Sequence, residues 1–182
     1  GFNVICFNQQ SIYEILSMIK YLGSLVGKVE ESLNLVNEIL QKINMIKKKT
    51  FRIKPKIYFE EWDDPYISAT RWVSEIIEIS GGVDIFAKKS RSQKALKRAV
   101  SSQDVINKNP DIIFASWCGK KVNFDKIKKR QGWSSINAVK TNSLFEIKSP
   151  IILQPGPAAL TDGLSQIHDL ILQWQKKSNL KK

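Results

Sequence analysis

The chain has 182 residues, 42% hydrophobic and 25% charged, a balance that suits one globular domain, or one and a fraction, and excludes a large multidomain enzyme. Two cysteines, Cys6 and Cys118, and the single His168 exclude a disulfide framework and a zinc cage, so any metal would have to use carboxylates. The net charge of +12 raises nucleic acid or an anionic surface as a partner. Arginine, however, stands only at 52, 71, 91, 98 and 130, and lysine, a poorer fork for bases and phosphates, supplies the rest.

No apolar run reaches the ~18–20 residues of a bilayer span. The chain opens on Gly1 without the basic and apolar regions of a signal peptide and is read as cut at its start. Val4 to Phe7 is an apolar run that predicts a buried strand. Ser11-Ile12-Tyr13-Glu14 has the form of a capping box, and Ile12, Ile15, Leu16, Ile19, Leu22 and Val26 keep helical spacing until Gly27. Val29, Leu33, Val36, Leu40 and Ile43 predict a second helix ending in Lys47, Lys48 and Lys49, where cations suit the carbonyl end. At ~1.5 Å per residue it would be ~30 Å long, enough to bridge two bodies.

From Phe51 the pattern alternates between strands and helices. Ile57-Tyr58-Phe59 predicts a strand, Asp63-Asp64-Pro65 a loop, and Ser68 to Ile79 a helix stopped by Gly81-Gly82. Lys88 to Arg98 is basic and reads mostly as loop, Ser101 to Asp104 caps a short helix ending before Pro110, and Asp111 to Ser116 is a strongly apolar strand. A helix around Asn123 to Arg130, a turn at Gly132, a short helix near Trp133 and a strand at Leu144 to Ile147 follow. The last helix starts near Pro157 and carries Leu160, Leu164, Ile167, Ile171 and Trp174, with Lys176 to Lys182 as a solvated tail.

Three clusters bear on chemistry. Trp117-Cys118-Gly119 follows a strand as a redox loop would, but the resolving thiol is missing and Lys121 stands there instead. His168 beside Asp169 reads as a satisfied or surface histidine of a helix. Glu60-Glu61-Trp62-Asp63-Asp64 puts carboxylates and an indole at the carboxyl end of a strand, the edge where open α/β sheets bind ligands. The acids could do acid–base or hard-metal chemistry, or simply be solvated. Trp62 and Trp117, each at a strand end, are expected to line one open cleft face; both being core remains the alternative.

The strings FNQQSIYEIL, IKYLGSLVG, EEWDDPYISATRWVSEIIEISGG, VSSQDVINKNPDIIFASWCGKK and GWSSINAVKTNSLFEIKSPIILQPGPAALTDGL resemble the periplasmic cobalamin-binding and iron-siderophore-binding proteins of ABC importers. EEWDDPYIS, SWCGK and SPIILQPGPAALTDGL resemble the cobalamin-binding subgroup most. The resemblance implies an α/β, Rossmann-like three-layer lobe with a mostly parallel sheet, preceded by a long inter-lobe helix, in an incomplete two-lobed solute-binding fold. Residues 1–27 would be a loosely held remnant of a first lobe, 28–50 the connecting helix and 51–182 the ligand-binding lobe.

It further implies a non-enzymatic, periplasmic, monomeric carrier whose ligand, a corrinoid or other metal chelate, is cargo, with no cofactor, no resident metal, no nucleic acid, and a membrane reached only through an importer permease. The implied ligand contacts are Trp62, Asp63, Tyr66, Trp117 and Ser143. Permease docking falls on Gln103 and Asp104, where the family usually presents a glutamate. The alternatives are a basic nucleic-acid-binding protein and a cleft enzyme using Glu60, Glu61 and Asp63.

Overall fold

The computed structural model describes residues 1–49 and 53–179. Ser11 opens helix α1 (Ile12–Leu25) by accepting a hydrogen bond from the Glu14 amide, while the Glu14 carboxylate takes the amide of Gln10, one residue before the cap. A left-handed Gly27 turns the chain into α2 (Val29–Lys47). The two helices touch where Gly23 faces Ser32: a Cβ on Gly23 would lie 2.2 Å from the Ser32 hydroxyl oxygen, so only glycine permits that approach.

Beyond them come β1 (Lys56–Asp63), β2 (Tyr66–Ser68), α3 (Arg71–Ile79), β3 (Val83–Asp84), α4 (Ala87–Ser90), α5 (Ser102–Lys108) and β4 (Ile112–Ala115). Then follow α6 (Phe124–Lys128), α7 (Asn137–Lys140), β5 (Leu144–Glu146), α8 (Ser149–Ile152) and α9 (Leu164–Asn179), the last opened by a π-turn at Ala159–Gly163. The strand order is β2-β1-β4-β5 with β3 also on β1, and every pairing is parallel except β2 on β1.

Alternation along the strands assigns side chains to layers. Ile57 and Phe59 of β1 and Ile112 and Phe114 of β4 enter one apolar cluster, shared with α1, α2, α3 and α9. Tyr58, Ile113 and Ala115 point the other way, into a cluster with Val105, Ile127, Trp133 and Ala138. Both faces are covered, which is why these strands read as unbroken apolar runs. The result is a three-layer α/β arrangement around a mostly parallel sheet.

Three expectations are corrected. Residues 4–7 form no strand: no described strand pairs with them, and Phe2 and Val4 stand in solvent. The helix expected from Ser68 begins at Arg71, because residues 66–68 instead pair antiparallel with β1. α1 packs on the core where a piece without neighbours was expected: Ile12, Ile15, Leu16 and Ile19 belong to the first cluster and the Ile12 amide donates to the Glu75 carboxylate at 2.8 Å. The expected boundary at residues 50 and 51 and the end of the Lys176–Lys182 tail lie outside the described residues, although the helix itself runs to Asn179.

Candidate functional site

The carboxyl ends of β1 and β4 meet the loops that follow them and the amino end of α5. β1 carries a register shift between Glu60 and Trp62, a bulge that re-aims consecutive side chains and sends three acids in different directions.

Glu60 turns into the sheet and is fully buried. Arg130 forks onto it with bonds of 2.6 and 2.9 Å, the Trp117 indole donates at 3.0 Å and the Tyr58 hydroxyl at 3.2 Å. The guanidinium packs against two rings that meet edge-on, 4.3 Å from the Tyr66 centroid and 4.4 Å from that of Trp133. Burial and then the Glu60 charge push the Tyr58 hydroxyl well above the usual tyrosine range. For Arg130, burial alone would lower the pKa, but the hydrogen bonds and charge of Glu60 outweigh it and raise it.

Glu61 pairs with Arg98 through bonds of 2.5 and 3.1 Å, and Arg98 also donates to the Ser68 carbonyl, tying the 87–98 segment to β1 and β2. Asp63, 2% exposed, receives Lys120 on one oxygen and Lys126 on the other, each at 2.6 Å. Burial would raise the Asp63 carboxyl, yet the two ammonium hydrogen bonds prevail and hold it below the usual carboxylate range. Each of the three acids thus has its cation, and the acid–base alternative loses the free carboxylates it needs.

Trp62 is half-buried, its indole donating to the Asp64 carbonyl at 2.8 Å, and the Lys120 ammonium lies 4.1 Å from its ring centroid. Tyr66, Ser101, Asp63, Lys126 and Arg130 border a cleft of about 450 Å³ beside it. Trp117 corrects an expectation: it reaches the same edge but is 3% exposed, because its N–H serves Glu60, so it backs the face instead of lining it. Ser143 is also corrected. It precedes β5, which runs parallel to β4, so it sits at the amino ends of the strands, where its hydroxyl meets that of Thr141 at 2.9 Å.

Gln103 and Asp104 occupy the exposed first turn of α5, next to the Ser101 and Ser102 rim of the cleft. Asp104 completes a capping box with Ser101, whose hydroxyl and amide hold its carboxyl below the usual range, and Gln103 donates to Asn107 at 2.8 Å. His168 is buried in α9, one ring nitrogen 3.3 Å from the Ser80 carbonyl oxygen and the other 3.1 Å from the Lys49 ammonium, and burial lowers its pKa.

Arg130, Lys120, Lys126 and Arg98, the cations that partner these acids, are not singled out by the sequence as site residues. The available signal was indirect: a carboxylate within a buried strand demands a cation, but spacing does not say which. Among the described residues, no helix is long and apolar enough to cross a membrane.

The chain is 24% identical over 179 residues to an uncharacterized ABC transporter substrate-binding lipoprotein, YvrC, of Bacillus subtilis, a match covering 94% of this chain and 54% of that one. It is similar in structure to a possible iron-binding periplasmic solute-binding protein of Staphylococcus epidermidis, with 25% identity, a TM-score of 0.74, and 90% and 64% of the two chains covered. The vitamin B12-binding protein BtuF of Vibrio cholerae shares the fold at a TM-score of 0.71 and 21% identity, over 97% of this chain and 67% of BtuF. The chain therefore spans about half to two thirds of the length of these relatives. It belongs to the periplasmic binding protein family, whose sequence profile matches residues 1–151.

Proposed function

We propose that this chain forms a ligand-binding lobe in the substrate-binding component of an ABC importer for cobalamin or a related metal chelate. The observation that carries the reading is the cleft of about 450 Å³ at the carboxyl ends of β1 and β4, with Tyr66 in its wall and the half-buried Trp62 beside it. That edge is where open α/β sheets take ligands, and aromatic faces suit a flat or bulky chelate. The name of the Bacillus relative supports the transporter class and that of the Vibrio relative supports a corrinoid.

On this reading the ligand is cargo and not a cofactor, and the chain is a carrier, not an enzyme. It works outside the cytoplasmic membrane as a monomer. Trp62 and Tyr66 touch the ligand, while Asp63 and Trp117 act behind them by holding Lys120 and Glu60. The first turn of α5, with Gln103 and Asp104, is the surface offered to a permease because it is exposed and borders the cleft.

Titration calorimetry with cyanocobalamin and with a ferric hydroxamate chelate tests the reading. Saturable binding of one of them, weakened about fivefold or more by Trp62→Ala as a lost stacking contact predicts, supports it. Binding of neither chelate, or binding indifferent to both Trp62→Ala and Tyr66→Ala, overturns it.

A further inference from the structure

One feature of the cleft is not explained by a general preference for flat ligands. Asp63 is buried, yet it is matched to two ammonium groups, Lys120 from the loop after β4 and Lys126 from α6, with 42% and 54% of their side chains exposed. Glu60 is taken by Arg130 and Glu61 by Arg98, so Asp63 is the buried acid left to face both lysines. One carboxylate ion-paired to two cations leaves a local positive excess, which the exposed Asp64 on the same cleft wall offsets only through solvent, since among the described residues no ion pair joins it to Lys120 or Lys126. Each ammonium has three donors and gives one to Asp63, so donors remain on the exposed side.

The position of that charge matters. The Lys120 ammonium lies over Trp62 at 4.1 Å and over Trp117 at 5.1 Å, and that of Lys126 lies 5.8 Å from Trp117. A neutral flat ligand that stacks on Trp62 from this side has to push the ammonium off the ring, losing a cation–π contact and straining an ion pair. A ligand with an acidic group at its edge meets the same ammonium as a partner.

We infer, on the reading proposed above, that Lys120 and Lys126 form an anion seat taking carboxylate substituents on the rim of a flat chelate held against Trp62, so that the site ranks ligands by peripheral charge. Asp63 keeps both lysines at the seat.

Two water-soluble iron porphyrins with one macrocycle and opposite rims test this: iron(III) tetrakis(4-carboxyphenyl)porphyrin and iron(III) tetrakis(N-methylpyridyl)porphyrin. They are titrated into the 182-residue chain by absorbance at ~0.15 M salt, where distant surface charges are largely screened. The carboxylated porphyrin should bind about tenfold or more tightly than the cationic one, as a charge-assisted contact predicts.

Lys120→Met and Lys126→Met should each cut that preference about fivefold, whereas Lys20→Met, which removes the same charge from the exposed side of α1, should change it less than about twofold. Each single seat variant leaves Asp63 paired with the other lysine, so the fold is kept. Acetate at matched carboxylate concentration should not displace the porphyrin.

Equal affinity for the two porphyrins, equal effects of Lys120→Met and Lys20→Met, or displacement by acetate would each overturn the seat while leaving chelate binding standing. Binding of neither porphyrin would overturn the seat, and failure with cyanocobalamin and the hydroxamate as well would take the proposed function with it.

Discussion

Glu60 and Arg130 are joined by a two-pronged ion pair whose guanidinium packs against two aromatic rings, Tyr66 and Trp133, that themselves meet edge-on. Both partners are almost wholly withdrawn from water, with side-chain exposures of 0% and 7%. The pair joins β1 to the residues just after α6 and so ties the cleft wall to the sheet.

Removing one partner of such a pair strands the other as an uncompensated buried charge. Glu60→Gln is expected to lower stability by about 3–5 kcal/mol in urea unfolding. Arg130→Lys should cost about 2 kcal/mol or more, because a lysine supplies neither the fork nor a planar group that can pack against both Tyr66 and Trp133. A loss under about 1 kcal/mol for Glu60→Gln would show the pair to be dispensable.

Asp63 adds a pH dependence with a definite sign. Its folded pKa lies below the ordinary 3.8 because Lys120 and Lys126 hold the ionised form against the cost of burial. A depressed carboxyl contributes stability that is complete above the unfolded value and is lost as pH falls through the folded one. Thermal melts between roughly pH 5 and pH 2 should therefore fall more steeply for the native chain than for Asp63→Asn. Parallel acid limbs for the two proteins would contradict this.

Much of the fold could be read from apolar pattern alone, and the failures have a common cause. Ile57 to Phe59 and Ile112 to Ala115 are covered on both faces, so their apolar runs announce strands. Ser11 and the spacing of Ile12, Ile15, Leu16 and Ile19 announce α1. Val4 to Phe7 carries the same kind of signal but finds no strand partner, and pairing is a property of two segments, not one. β2 went unseen because three residues returning on β1 are too short for any period.

The site was half legible for the same reason. Its edge of the sheet followed from Trp62 standing after an apolar run. The burial of Glu60 and Trp117 did not, since it depends on Arg130, seventy residues away from Glu60 in the chain. Ser143 was misplaced because strand direction, which sends it to the opposite edge, is set by parallel pairing with β4.

The α1–α2 contact is a packing prediction. At Gly23, a methyl group would meet the Ser32 hydroxyl oxygen at 2.2 Å and the Lys28 carbonyl oxygen at 2.7 Å, and the second is backbone that cannot step aside. Gly23→Ala is expected to destabilise by about 1–3 kcal/mol, the cost of overpacking, despite alanine's better helix propensity. Adding Ser32→Gly should recover only part of the loss, since the Lys28 carbonyl remains. Stabilisation by Gly23→Ala in denaturant titration would mean that the helices do not approach as described.

The last prediction separates the amino-terminal ten residues from the helix that follows. Residues 1–10 hold no regular structure, and Phe2, Val4, Ile5 and Phe7 keep 99%, 79%, 48% and 38% of their surface exposed. α1 is different: Ile15 is fully buried, Ile12, Leu16 and Ile19 join the core shared with the sheet, and Glu75 of α3 caps its first amide. Opening α1 therefore breaks core contacts, while moving residues 1–8 breaks few. Native-state hydrogen exchange should show amides 1–8 exchanging near the unprotected rate and amides 16–24 protected to within about tenfold of those in β4. Protection of Val4 to Phe7 in a verified monomer would reveal a pairing that the structure lacks, and rapid exchange across α1 would mean that its apolar face does not hold it to the core.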